Sequence, residues 1–302
     1  MRKTIFSTFI IIVLSFVVLW GEAQVPIKTA SGNLKIELPN KKDSVRFAVF
    51  GDMGTGGTRQ YQMAEVMVQA RGLFPYEFVL MTGDNMYGGE SASDYAKKFE
   101  RPYKTLLDAG VKFYASLGNH DNVNQRNYKN FNMDGKEYYT FKKDKVRFFA
   151  LNSNYMDKRQ IEWLEKELSG SNDPWKICFF HHPPYSSGGR HGSDTELRKI
   201  IEPMFEKYGV SVAFTGHEHF YERIKPQKGI YYFITGAGGK LREGNVSPSS
   251  YTEKYFDKDL HFMLIEIDGD QMHFQVISRT GQTVDSGIIL RRQADAKAVT
   301  AK

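Results

Sequence analysis

Tyr76-Glu77-Phe78-Val79-Leu80-Met81-Thr82-Gly83-Asp84-Asn85-Met86-Tyr87 decides how this chain is read. Tyr76 to Met81 is strand-like, and the Gly-Asp-Asn that follows turns the chain at the strand's carboxyl end. Asp84 carries two carboxylate oxygens, enough to reach two metal ions at once. Tyr87 places a phenol oxygen three residues on. A phenol ionises near pH ~10, so a tyrosine ligand requires a strongly Lewis-acidic metal. Hard oxygen ligands beside histidines favour iron over a thiolate-seeking metal. Alone, the stretch reads better as a polar turn after a core strand. Repetition of the same pattern along the chain decides for the metal.

Ser44 to Phe50 is a second strand, ending in Gly51-Asp52-Met53-Gly54-Thr55-Gly56-Gly57. These glycines allow close backbone approach, but no Gly-Lys-Ser/Thr follows, so this is not a P-loop. Val111 to Leu117 ends in Gly118-Asn119-His120-Asp121, Trp175 to Phe180 in His181-His182-Pro183-Pro184, and Val210 to Thr215 in Gly216-His217-Glu218-His219. Helical patterns fall at about Thr58 to Arg71, Ser93 to Leu107 and Asp157 to Leu168. A further helix opens on a capping box, Ser193-Asp194-Thr195-Glu196, and Pro203 is expected to kink or restart it. Hairpins are expected across Lys142 to Lys145 and across Asp268-Gly269-Asp270, with strands at Ile230 to Thr235 and Thr283 to Leu290. Alternating strands and helices define an α/β protein whose ligands gather at strand carboxyl ends. The antiparallel tail excludes a simple parallel sheet. Six of the eight histidines lie in or beside these turns.

With 302 residues and 41% hydrophobic content, the chain suits one catalytic domain, placed at residues 44–291. The net charge of +6 is compatible with anionic substrates, and no Lys/Arg block argues for nucleic acid. Residues 1–23 read as a signal peptide: Arg2 and Lys3, then apolar Ile5 to Trp20, then Gly21-Glu22-Ala23. The expected location is therefore secreted or periplasmic, without stable membrane insertion after cleavage. Cys178 is the only cysteine and sits in an apolar strand, so it is expected to be buried and unreactive.

The ordered clusters resemble the metallophosphoesterases, and among them the short purple acid phosphatases that include the tartrate-resistant enzymes. The matching signatures are Asp52-Met53-Gly54, Gly83-Asp84-Asn85-Met86-Tyr87, Gly118-Asn119-His120-Asp121, His182 before Pro183-Pro184, and Gly216-His217-Glu218-His219. Gly54 stands where the wider superfamily usually has a histidine, and Tyr87 is the mark of the purple enzymes. The resemblance implies a β-sandwich of two mixed sheets flanked by helices (αββα). It implies an Fe(III) site of Asp52, Asp84, Tyr87 and His219. It also implies a divalent site, for Fe, Zn or Mn, of Asp84, Asn119, His182 and His217, with His181 in a supporting place.

The implied reaction is hydrolysis of a small phosphate monoester by hydroxide held on the metals. Asn119 would help to hold the phosphate, and His120, with His191, would protonate the leaving group. The partner is a small-molecule phosphoester, and a monomer is favoured. Two departures stand out: Arg190 occupies a position where the short animal enzymes have glutamate, and no internal disulfide is possible. A phosphodiesterase or nucleotide pyrophosphatase on the same centre is the alternative, decided by groove walls at Arg126 to Gly135 and Leu241 to Tyr255. A non-catalytic, metal-stabilised binding module is the remote one, and the intact His120 speaks against it.

Overall fold

The computed structural model describes residues 34–292, so the signal segment assigned to residues 1–23 lies outside the described residues. The first half runs β1 (Val45–Phe50), α1 (Thr58–Leu73), β2 (Phe78–Met81), α2 (Ala92–Tyr95), α3 (Lys104–Asp108) and β3 (Lys112–Ala115). Next come the hairpin β4 (Tyr139–Lys143) and β5 (Val146–Ala150), then α4 (Lys158–Gly170), β6 (Trp175–Phe179), α5 (Thr195–Tyr208) and β7 (Val212–Thr215). The last part is all strand: β8 (Tyr221–Gln227), β9 (Ile230–Thr235), β10 (Thr252–Phe256), β11 (His261–Asp268), β12 (Gln271–Ser278) and β13 (Thr283–Leu290).

These strands form two mixed sheets, in the orders β13-β12-β11-β1-β2-β3 and β10-β8-β9-β7-β6-β5-β4. Within the first, β1, β2 and β3 run parallel. Within the second, β5, β6, β7 and β9 run parallel. The architecture is the expected α/β sandwich of two mixed sheets flanked by helices. The two parallel sets bring their carboxyl ends to one edge of the sandwich, and this convergence creates the site.

Aromatic rings fill the space between the sheets. Phe47 of β1 stacks on Phe78 at 5.1 Å and meets Phe148 and Phe214 edge-on at 5.3 and 6.3 Å. Offset-stacked and edge-on pairs each add about 0.5–1.5 kcal/mol beyond the area they bury. The outer face of the second sheet packs on α4 and α5 through Cys178, Phe180, Leu164, Ile201 and Phe205. Cys178 is buried there, as expected, and burial pushes its thiol well up.

Four local expectations are corrected. The helix read from Ser93 to Leu107 breaks into α2, a π turn over Ala96–Glu100, and α3. Pro102 is the cause: it cannot donate to the carbonyl four residues back and its ring crowds that oxygen. The released Lys98 carbonyl is taken by Gln60 Nε2 at 2.6 Å, and Arg101 N reaches back five residues to Ala96 O. Pro203, by contrast, neither ends nor restarts α5, which is one helix from Thr195 to Tyr208. Pro203 lies on the exposed face, where a freed carbonyl can take water, while Leu197, Ile201, Met204 and Phe205 hold both halves on the sheet. The expected capping box gives way to a single cap: Asp194 accepts from Leu197 N, and Ser193 Oγ instead accepts from Ser186 N. Finally, β8 and β10 lack an apolar alternation and were not expected. They are recruited by antiparallel pairing, β8 onto β9 and β10 onto the edge of β8.

Phe47→Ala should cost roughly 3–5 kcal/mol of stability, because the ring contacts both sheets and the void cannot collapse. Denaturant unfolding would check this, with a loss under 1 kcal/mol showing that the sheets do not depend on that contact.

A candidate dinuclear metal centre

Each functional turn begins where a parallel strand stops. Asp52 lies two residues past β1, Asp84 three past β2, His181 two past β6 and His217 two past β7. Asp52, Asp84 and His217 have φ of 57°, 49° and 69°, the left-handed region that costs a non-glycine residue about 1–2 kcal/mol. Surrounding contacts hold them there. Asp52 N donates to Gly83 O, His217 N donates to Asp52 Oδ2 at 2.9 Å, and His120 N donates to Asp84 Oδ1 at 2.9 Å. Asp121 locks the Asp84 turn by accepting from the backbone N–H of Gly118, Asn85 and Met86 and from the side chains of Asn85 and Gln125. Burial and the nearby Asp84 push the Asp121 carboxyl up to about 7, against the pull of those donors.

The side chains then form two triangles. In the first, Tyr87 OH stands 3.0 Å from Asp52 Oδ1 and 3.3 Å from His219 Nε2, and His219 Nε2 is 3.3 Å from Asp52 Oδ1. In the second, Asn119 Oδ1 is 3.0 Å from both His181 Nε2 and His217 Nδ1, and those nitrogens are 3.1 Å apart. Asp84 Oδ1 lies 3.4 Å from His181 Nε2, and Asp52, Asp84 and His181 offer ligand atoms within 4.8 Å of one another. Asp84 therefore stands between the triangles.

These atoms fit metal ions. Ligands about 2.1 Å from an octahedral ion are about 3 Å apart, which matches the edges of both triangles. The ligand types are carboxylate, phenol, amide oxygen and imidazole, the set suited to iron, zinc or manganese. The electrostatics agree. Burial and Asp84 push the Asp52 carboxyl well above the usual range, and burial with both carboxylates pushes the Tyr87 phenol up. Burial and neighbouring imidazoles hold His217 at about 2, and burial with Arg242 and Lys240 holds His219 at about 3. The histidines are thus neutral, lone pairs available, around two buried carboxylates that also feel Lys240 and Arg242; a multivalent cation among them would offset their mutual repulsion.

The structure draws His181 into the centre, where the sequence reading gave it a supporting place. Side chains alternate along β6 and just beyond it. Ile177 and Phe179 face the inter-sheet core, Cys178 and Phe180 face the helices, and His181 continues on the inter-sheet side toward Asp84. That alternation was the available signal. His181 Nδ1 donates to the Thr82 carbonyl at 2.9 Å, which leaves the lone pair on Nε2, directed at Asn119 and His217.

His182 offers a ligand atom within 4.8 Å of those of His181 and His217, so it remains near the second triangle. Its hydrogen bonding differs. Ser153 Oγ accepts from the backbone N–H of both His181 and His182, so its hydroxyl hydrogen is directed to His182 Nδ1, 2.9 Å away. With Ser153 donating to Nδ1, the His182 proton sits on Nε2.

Around the centre, Asn119, Asp121, Asn154 and His182 line one hollow of about 400 Å³. His182, Arg190, His191 and His217 line an adjoining one of about 340 Å³. His120 packs its ring 5.0 Å from that of Tyr87, and His191 sets its ring 4.2 Å from that of His217. Arg190 is exposed on the same rim and forms no ion pair among the described residues. Lys240 Nζ lies 3.3 Å above the Tyr87 ring, a cation the sequence reading missed. A hollow of about 530 Å³ beside α4 contains none of the candidate ligands and shares Tyr155 with the metal-side cleft. Lys142, in the expected hairpin, pairs with Asp173. No helix of the described residues is long and apolar enough to cross a membrane.

Paired mixed sheets with clustered metal-ligand side chains at their carboxyl edge are what a metal-dependent phosphoesterase needs. Residues 45–221, well over half of the chain, match the calcineurin-like phosphoesterase family, and the protein belongs to that family. It is 26% identical to purple acid phosphatase 17 of Arabidopsis thaliana over 80% of this chain and 87% of that protein. Among solved structures it resembles GAP50, the anchor in the inner membrane complex of Plasmodium (TM-score 0.74, 19% identity, 83% of this chain and 90% of that one). It also resembles the purple acid phosphatase PPD1 of yellow lupin seeds (TM-score 0.70, 19% identity, 88% of this chain and 56% of that one). The structural likenesses concern the fold. The expected resemblance to purple acid phosphatases is met by the relatives.

Two outcomes are expected. A Cβ at Gly118 would stand 2.3 Å from Asp84 Oδ1, so Gly118→Ala should displace that carboxylate and lower metal content per folded chain. Undiminished content by elemental analysis would contradict this. Chelation should lower the thermal midpoint by on the order of 10 °C, reversibly, if the ions bind with the few kcal/mol expected of a saturated site.

Proposed function

We propose that the protein is an exported acid phosphatase acting on phosphate monoesters at an Fe(III)–divalent centre, the divalent ion being iron, zinc or manganese. The observation that carries this reading is the pair of donor triangles joined by Asp84. In this assignment Asp52, Tyr87 and His219 hold the trivalent ion and Asn119, His181 and His217 the divalent one, with Asp84 between them. His182 moves from ligand to phosphate donor. When bound, the metals supply positive charge for the phosphate and acidify a water for attack on phosphorus.

The remaining roles belong to side chains. Asn119 can turn its amide N–H toward a phosphate oxygen while its Oδ1 faces the centre. His182 presents Nε2–H from the wall of both hollows. His120 and His191 stand on the open side and can carry a proton to the departing alkoxide. Lys240 and Arg190 add positive charge on the rim, which favours the dianionic phosphate of a monoester over a monoanionic diester. Export rests on the signal-like segment 1–23.

Tyr87→Phe should abolish a visible tyrosinate-to-iron absorption band in a protein that holds two metals per chain, and should reduce hydrolysis of an aryl phosphate at acid pH. A colourless wild-type protein with two divalent ions would overturn the iron assignment, and faster turnover of diesters than of monoesters would overturn the substrate class. His181→Ala should remove about one metal per chain, whereas His182→Ala should keep both and raise KM for phosphate esters. The reverse pattern would restore His182 as the ligand.

A further inference from the structure

Glu218 sits between the two histidines of the last metal-side turn, yet it points away from both triangles. It is fully buried. Oε1 accepts the backbone N–H of His191 at 3.1 Å and of Gly192 at 2.8 Å. Oε2 accepts from Asn245 Nδ2 at 3.3 Å and faces Arg242 Nη1 at 3.5 Å. Gly188 packs so closely that a Cβ there would stand 2.2 Å from Oε1. The two chain segments it holds are also joined to each other, Gly189 N donating to Asn245 O, and Arg242 N donates to His219 O. One carboxylate therefore ties two surface excursions to the turn that carries His217 and His219.

The first excursion carries His191. Its imidazole makes no side-chain hydrogen bond among the described residues, and its ring is exposed against His217. Where that ring stands is set by its backbone, and its backbone N–H and that of the next residue are held by Glu218. A buried anion receiving several N–H donors is a strong anchor, because hydrogen bonds to an ionised acceptor are the stronger kind and the buried carboxylate has no water to replace them.

We propose that Glu218 is a positioning residue for leaving-group protonation: its buried carboxylate fixes the loop so that the His191 imidazole stands over the phosphate site. This rests on the phosphatase reading above. In the step concerned, the ester P–O bond breaks and its electron pair remains on the leaving oxygen. That oxygen takes a proton delivered through the His191 ring, and the alcohol departs. Water supplies the oxygen that ends on phosphate and, through solvent, the proton that restores His191.

The proposal is tested on two monoesters with the same phosphate, p-nitrophenyl phosphate and glycerol phosphate. The first has a leaving group that needs little protonation and the second an alkoxide that needs it. Glu218→Ala should lower kcat for glycerol phosphate at least ~10-fold more than for p-nitrophenyl phosphate, within the 10²–10⁴-fold that a positioned general acid contributes. Metal content should not change. His191→Ala should give the same selectivity, and the double variant should be no slower than His191→Ala alone, as coupled residues require.

Glu218→Gln, which keeps an acceptor at Oε1, should restore most of the glycerol phosphate rate. Glu218→Asp, too short to reach both amides, should resemble Ala and serves if Ala does not fold. Equal losses on both substrates, additive losses in the double variant, or loss of metal would overturn the proposal. Hydrogen exchange reads the anchor without activity: amide protection at His191 and Gly192 should fall in Glu218→Ala. Protection that falls in a protein with no phosphatase activity would sink the proposed function and leave the anchor standing; protection that persists would sink the anchor.

Discussion

The fold brings acceptors together that repel one another. Asp52 and Asp84 are both essentially buried, and the Tyr87 phenol and the lone pairs of three neutral imidazoles surround them. In a low-dielectric pocket such a cluster opposes its own charge. It persists because the chain is held at each turn by backbone donors, and because a multivalent cation turns the repulsion into attraction. Everything else about the site follows from the need to keep these atoms about 3 Å apart without letting them separate.

The sandwich does this by meeting two requirements. Parallel strands from two sheets must end at the same edge, and each chain must then turn abruptly enough to present a side chain back toward that edge. Three ligand residues achieve the turn in the left-handed region, and the neighbouring glycines allow strand ends to come closer than a side chain would permit. At Gly216 a Cβ would stand 2.5 Å from Asp52 Oδ2, so the two sheets can touch at that point only through glycine. The aromatic layer around Phe47 keeps the sheets at fixed separation, which gives local strain at the turns a rigid support.

Hydrogen bonds around the ligands assign their chemistry. The Thr82 carbonyl fixes the His181 tautomer, Ser153 fixes that of His182, and Asp121 fixes the Asp84 turn. Two adjacent histidines of the same residue type thereby acquire different properties, one with a free lone pair at Nε2 and the other with a proton there. Glu218 works on a larger scale, converting a glycine-rich loop into a located one.

The sequence by itself determined the composition of the site and most of the scaffold. Strands ending in Asp, Asn or His recur with a grammar suited to a metal cluster, and the core strands β1, β2, β6 and β7 are mostly apolar runs. Tertiary structure decided what depends on partners distant in the chain. Pro102 broke a helix where Gln60 could take the freed carbonyl, while Pro203 did not, because α5 is held from its buried face. The polar strands β8 and β10 exist through pairing, since nothing in their own residues requires it. Whether His181 or His182 faces the second triangle depends on which side of β6 meets the other sheet. The anchoring of the His191 loop depends on Glu218, 27 residues further along. Local pattern fixes what a segment can bury or ligate; only the packed chain fixes which atoms stand opposite it.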